Sequence, residues 1–309
     1  AGIYAFGPRA ADARIETDKA FQREFMAEHD IPGRPEFAVF HDKASACDYL
    51  AEYEGDVAVK PTGLTGGKGV RVTGDQLTKS AAQTYIRESE WDEWVVEERL
   101  VGEEFTVQTF VADGDLQVTP AVQDHKRAYE GDDGPNTGGM GSYSDASVTL
   151  PFLTQPEYDR AVEILERTVA ALPSYRGILY GQFMLTAEGP KVVEFNARLA
   201  DPEAMNTLPV METPLLDVLV AARDGDPLPD LEFAPKATVC KYAVPEGYPT
   251  DPQAGAKVTV TEERVGDAIL FYASVDERDD GIYTTTSRSF AVVGVADTIA
   301  EAEAIAEDA

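Results

Sequence analysis

The run Val57-Ala58-Val59-Lys60-Pro61-Thr62-Gly63-Leu64-Thr65-Gly66-Gly67-Lys68-Gly69-Val70-Arg71-Val72 has β-branched residues alternating at both ends around four glycines and two threonines. It reads as a strand, a loop and a second strand. Such a loop brings several backbone N–H groups close to a phosphate, because Gly accepts φ > 0 and carries no side chain. Lys60 and Lys68 place charge at the two ends, and Gly66, Gly67 and Gly69 are the candidate backbone donors. A P-loop requires G-x-x-x-x-G-K-[ST] ahead of a helix. Here Lys68 is followed by Gly69 and then by strand-like Val70-Arg71-Val72. A phosphate bound here would lie under a hairpin flap. On this stretch alone, a plain Gly-rich hairpin stays open as well.

Around that stretch, 309 residues suffice for a large core and two or three domains. A hydrophobic content of 43% fits a soluble globular chain, and the absence of a long apolar run excludes a membrane-spanning helix. The start, Ala1-Gly2-Ile3-Tyr4-Ala5-Phe6, does not read as a signal peptide. It is strand-like and lacks an initiator Met, so we expect a segment upstream of it. Two distant cysteines, Cys47 and Cys240, form no disulfide framework or zinc pattern and fit a cytoplasmic location. Against 26 basic residues stand 56 acidic ones, a net charge of −30 spread along the whole chain. That balance offers no basic patch for nucleic acid. Self-repulsion of this size is screened over about 3 Å in 1 M salt, so the expectation is a protein adapted to high salt.

In chain order, a helix runs from Thr17 or Asp18 to His29, with Lys19 in its first turn. The helix macrodipole disfavours a cation at that position, yet taken alone Lys19 reads as a surface lysine. Phe37–Phe40 is a strand, 44–53 a helix, 76–89 a helix and 93–98 a strand, so residues 33–96 form a small α+β unit around the flap. Glu103 and Glu104 open an alternating strand, either as solvated ends or with one of them in use. Gln123-Asp124-His125-Lys126-Arg127 and the Gly-rich text up to Tyr143 read as one long loop, a functional anion-holding segment or a mobile surface loop. Two strands about the Glu188-Gly189 turn bring Gln182 opposite Glu194, with Asn196 on the same face. One carboxylate and two amides then make an oxygen cluster of the kind hard cations such as Mg²⁺ use, unless Glu194 is merely a solvated strand end. Arg198, Asp201 and Glu203 follow in a polar turn. Beyond residue 230 the text turns to short strands and a final helix near Asp297.

Several of these runs together resemble the glycinamide ribonucleotide synthetase (phosphoribosylamine–glycine ligase) family. They are Lys60 to Val70, Val95 to Glu104, Gln123 to Arg127, Gly134-Pro135-Asn136-Thr137-Gly138-Gly139-Met140-Gly141, Val193 to Arg198, and Asp201-Pro202-Glu203. The resemblance covers essentially the whole chain. It implies an α+β, ATP-grasp fold, in which two α+β subdomains clasp ATP, with a small mainly-β C-terminal domain. The main subdomain would be residues 1–32 and 97–229, the lid 33–96 and the C-terminal domain 230–309. It implies phosphorylation of the glycine carboxylate by ATP and attack by the amine of 5-phosphoribosylamine. ATP would be met by Lys19, Lys60, the Gly66-Gly67-Lys68-Gly69 loop, the backbone near Glu98 and Leu100, and Glu104. Gln182, Glu194 and Asn196 would hold Mg²⁺ or Mn²⁺. Arg198, Asp124 and Lys126 would lie around the glycine and acyl phosphate. The family's further N-terminal domain is missing from this sequence, and Ala197 and Ala200 stand where many members have Cys and Gly. Another ATP-grasp carboxylate–amine ligase, or a non-catalytic nucleotide-binding fragment, is the alternative.

Overall fold

The computed structural model describes residues 4–63, 69–131, 133–261 and 265–309. In chain order the helices are α1 (Arg14–Thr17), α2 (Lys19–Glu28), α3 (Lys43–Glu52), α4 (Lys79–Glu88), α5 (Gln155–Ala170), α6 (Ala204–Thr207), α7 (Leu215–Asp224) and α8 (Ile299–Asp308). The strands are β1 (Phe37–Phe40), β2 (Val57–Pro61), β3 (Arg71–Val72), β4 (Trp94–Glu98), β5 (Glu103–Ala112), β6 (Asp115–Val118), β7 (Gln123–Tyr129) and β8 (Asp133–Ser144). They continue with β9 (Arg176–Thr186), β10 (Gly189–Asn196), β11 (Ala237–Ala243), β12 (Lys257–Val258), β13 (Ile269–Tyr272), β14 (Val275–Arg278), β15 (Gly281–Thr284) and β16 (Phe290–Ala296). The chain divides into two compact units, which are described separately.

The first unit comprises Ala1–Val118, Gln155–Leu199 and Val218–Pro229. It contains two four-stranded sheets, in the orders β1-β4-β2-β3 and β10-β9-β5-β6. Helix starts follow their side-chain caps: Asp18 accepts from Phe21 N at 2.9 Å, Asp42 from Ser45 N at 2.8 Å and Thr78 from Ala81 N at 3.2 Å. Helices α3 and α4 bury Ala46, Cys47, Leu50, Ala82 and Ile86 against Val57, Val59, Trp94 and Val96 of the first sheet. Strand alternation turns Ala58, Lys60, Val95 and Glu97 to the opposite face. The expected hairpin around the Gly-rich loop is present as the antiparallel pairs Ala58↔Val72 and Val59↔Arg71.

The second unit comprises Thr119–Thr154, Ala200–Asp217 and Asp230–Ala309. Its five-stranded sheet has the order β13-β16-β11-β8-β7, and a three-stranded sheet has the order β12-β15-β14. Helix α8 lays Ala302 and Ala306 on Val239. Here the structure corrects the sequence reading. The segment expected to be a long loop is a bulged antiparallel hairpin, with Asp124↔Ser142 and His125↔Gly141 in register. Its glycines serve close approach of backbones: a Cβ on Gly141 would lie 2.5 Å from Cys240 O on the neighbouring strand.

Candidate active site

The β9–β10 hairpin pairs Glu194 with Gln182 and Asn196 with Tyr180, so the expected cross-strand cluster forms. Gln182 and Asn196 are buried and Glu194 is half-buried. Each amide nitrogen already has an acceptor. Gln182 Nε2 donates to Glu104 Oε2 at 2.6 Å, and Asn196 Nδ2 to Glu194 Oε1 at 3.2 Å. With the amides so oriented, Gln182 Oε1 and Asn196 Oδ1 join the Glu194 carboxylate as oxygen donors. That set suits a hard divalent cation. It also ties Gln182 to Glu104, the residue that the resemblance places on the ribose.

Beside this cluster the register of β10 shifts between Val192 and Glu194, leaving Val193 as a bulge. The freed Val193 carbonyl accepts from Arg23 Nη2 at 2.7 Å and from Lys60 Nζ at 3.2 Å. Arg23 also binds Glu97 through Nε at 2.7 Å and Nη2 at 3.3 Å, and Lys60 Nζ is ion-paired to the same carboxylate. All three side chains are almost fully buried. Burial alone would push the Glu97 carboxyl up, but Arg23 and Lys60 outweigh it and hold it below its ordinary value. Burial lowers Lys60 from the usual lysine range, with Glu97 opposing. Lys19, next to the Asp18 cap, donates from Nζ to Gly63 O at 2.8 Å; burial lowers it too, with Glu194 opposing. Lys19 is therefore not the plain surface lysine that it resembles in isolation.

Arg23 and Glu97 were missed in the sequence. Both left a trace. Gln22 and Arg23 interrupt the stripe that α2 buries with Phe25 and Met26, and Glu97 sits in a strand whose residues are buried on both faces. An ionic residue in either setting needs a buried partner.

Glu98 is fixed by Lys191 at 2.8 Å and by the Glu36 N–H at 3.0 Å. The backbone N–H groups of Glu98 and Arg99 are spent on Glu36 O and Asp56 O, at 2.9 and 3.0 Å. Leu100 follows directly. Gly69 O accepts from the Tyr85 hydroxyl at 2.9 Å. Gly66, Gly67 and Lys68 lie outside the described residues. Arg198 is more than half exposed; its Nε lies 3.2 Å from Glu16 Oε1, and Glu16 Oε2 takes the Ala197 N–H at 2.8 Å.

Asp124 and Lys126 belong to β7 in the second unit, two residues apart, with a register shift of the strand between His125 and Arg127. Thr137 Oγ1 donates to Lys126 O at 2.8 Å and accepts from Gly139 N at 3.0 Å. Gly139 has φ +110°, and a Cβ there would come within 2.6 Å of both Asp124 Oδ1 and Pro202 Cδ. The next turn is held by Tyr242, whose hydroxyl donates to Asp201 Oδ1 at 2.6 Å.

Residues 17–204 match the family described as Phosphoribosylglycinamide synthetase, ATP-grasp (A) domain, and residues 238–309 match its C domain. The phosphoribosylamine–glycine ligase of Methanococcoides burtonii is 55% identical over 317 residues, spanning 100% of this chain and 72% of that protein. The one from Methanosarcina barkeri is 54% identical over 318 residues, with the same coverage. Among solved structures, the Thermotoga maritima phosphoribosylamine–glycine ligase superposes with a TM-score of 0.86 at 26% identity, covering 98% of this chain and 77% of that one. The N5-carboxyaminoimidazole synthase of Aspergillus clavatus, solved with ADP and 5-aminoimidazole ribonucleotide, shares the fold at a TM-score of 0.71 and 14% identity, covering 97% of this chain and 74% of that one. The chain belongs to the phosphoribosylglycinamide synthetase family, with an ATP-grasp fold followed by that family's C domain.

Proposed function

We propose that the protein ligates glycine to 5-phosphoribosylamine at the expense of ATP, giving glycinamide ribonucleotide, ADP and phosphate in purine synthesis. The observation that carries this reading is the identity of 55% with a phosphoribosylamine–glycine ligase across the whole chain. A glycine carboxylate oxygen attacks the γ-phosphorus and ADP leaves. The amine nitrogen then attacks the acyl carbon, phosphate leaves, and the amine proton is released with it.

The side chains suit these steps. Lys60 and Lys19 offset the charge of the phosphates. Glu104 accepts from the ribose hydroxyls. With the N–H groups of Glu98 and Arg99 committed inside the fold, an N–H for the adenine ring falls to Leu100, while the carbonyls of Glu98 to Leu100 suit its amino group. Gln182, Glu194 and Asn196 would hold Mg²⁺ or Mn²⁺, which when bound offsets charge on the transferring phosphoryl group. Asp124 suits the ammonium of glycine, and Lys126 and Arg198 suit carboxylate and acyl-phosphate oxygens. Residues 33–96 act as the lid subdomain in this reading, and the protein works in the cytoplasm of a cell with high internal salt. Among the described residues no helix is long and apolar enough to cross a membrane.

Glu194→Ala tests the metal set. Turnover is expected to vanish while the fold, followed by circular dichroism, stays intact. Near-normal turnover at saturating Mg²⁺ would reject the metal assignment. ADP release that needs both glycine and 5-phosphoribosylamine separates the ligase from a non-catalytic nucleotide binder.

A further inference from the structure

Arg288 lies between β15 and β16, in a region where the sequence shows little clustered polarity. Its side chain is only 13% exposed. Nη1 lies 2.8 Å from Gly138 O, 2.9 Å from Gly139 O and 3.3 Å from Asp201 O, and 3.3 Å from Asp201 Oδ1. The guanidinium stacks 4.4 Å over the Tyr242 ring, and the Tyr242 hydroxyl holds the same Asp201 carboxylate. A Cβ on Gly138 would stand 3.2 Å from Arg288 Cζ, so the guanidinium rests directly against the strand. A Cβ on Gly139 would stand 2.6 Å from Asp124 Oδ1 and from Pro202 Cδ, so its backbone lies next to both. Tyr248 adds a second tie by accepting the Gly138 N–H at 3.2 Å. Gly138 and Gly139 are thus bonded by Arg288 and Tyr248 of the C domain, and the Gly139 backbone lies next to Asp124.

We propose that Arg288 is a positioning residue for the substrate side of the reaction: by holding the Gly138 and Gly139 carbonyls it sets where Gly139 places Asp124. The proposal rests on the reading that Asp124 faces glycine. The guanidinium stacks on the Tyr242 ring while one of its nitrogens meets the Gly138 and Gly139 oxygens, and a lysine ammonium reproduces the charge but not the planar stacking. Displacing a substrate-positioning group by about 1 Å costs on the order of a hundredfold in rate.

The test compares Arg288→Met, Arg288→Lys and Asp124→Asn in the intact protein, with steady-state kinetics in glycine and in ATP, ADP binding by calorimetry, and thermal melting. For Arg288→Met we expect kcat/KM for glycine to fall toward a hundredfold, with ADP binding unchanged. Arg288→Lys is expected to fall between this variant and the parent, and it decides the matter if Arg288→Met does not fold. A loss shared equally by glycine and ATP kinetics, or a lowered melting point with kinetics intact, overturns the proposal. An impaired Asp124→Asn beside unimpaired Arg288 variants overturns it alone. An unimpaired Asp124→Asn overturns the glycine-side reading and this inference together.

Discussion

Glu97 is the residue on which the buried charges of the first unit depend. Two cations, Arg23 and Lys60, share its carboxylate with almost no access to water. Removing one member of a buried ionic cluster leaves the others uncompensated, at about 3–5 kcal/mol. Glu97→Ala is therefore expected to lower the unfolding free energy by that order in a denaturant titration. The pH dependence has a definite sign. The folded carboxyl is held below its ordinary 4.5, so between 4.5 and the lower native value the unfolded chain binds more protons than the native one. The contribution is complete above pH 4.5 and drains away as pH falls through the native value. Glu97→Gln should flatten that acid limb, and an unchanged limb would show that other carboxylates set it. At this scale legibility was uneven. The pairing of Gln182 with Glu194 could be read from a turn and a period of two. Arg23 and Glu97 come together across 74 residues, and no local pattern encodes such a distance.

The strands show the same division. Val57–Val72 was legible because alternation around glycines has few other readings, and β9–β10 because its turn fixes the register. The bulge at Val193, which offers its carbonyl to Lys60, leaves no mark in composition. The Gly-rich text of β8 misled for a physical reason. Glycine is depleted in strands, but Gly141 is needed because the β11 backbone runs too close for a side chain. Gly141→Ala should accordingly push β8 away from β11. A Cβ 2.5 Å from a backbone oxygen forces a main-chain shift, and overpacking of this kind costs about 1–3 kcal/mol. Native-state hydrogen exchange checks it: the amides of Ser142 to Ser144 should lose protection while those of β9 keep theirs. Equal exchange in parent and variant would mean that the pair absorbs a methyl group without moving.

For the molecule as a whole the deciding quantity is the excess of carboxylates. Among the described residues only Asp12, Glu97 and Glu203 of the acidic side chains are buried, so nearly all of the −30 lies at the surface. Surface repulsion is sensitive to salt. The screening length is roughly 30 Å at 10 mM and 3 Å at 1 M, so like charges across a whole face repel in dilute buffer and ignore each other in molar salt. Exposed ion pairs cannot offset this, since each contributes about 0–1 kcal/mol and weakens in salt as well. The unfolded chain spreads its charges further apart, so repulsion favours it at low salt. Stability should therefore rise steadily from millimolar to molar KCl, measured as the urea midpoint. Replacing Glu52, Glu54, Glu88 and Glu90, all exposed and borne on or beside α3 and α4, by Gln should reduce the slope and raise the midpoint most in dilute buffer. A midpoint that stays level as KCl is withdrawn would place the origin of the acidic surface somewhere other than salt adaptation.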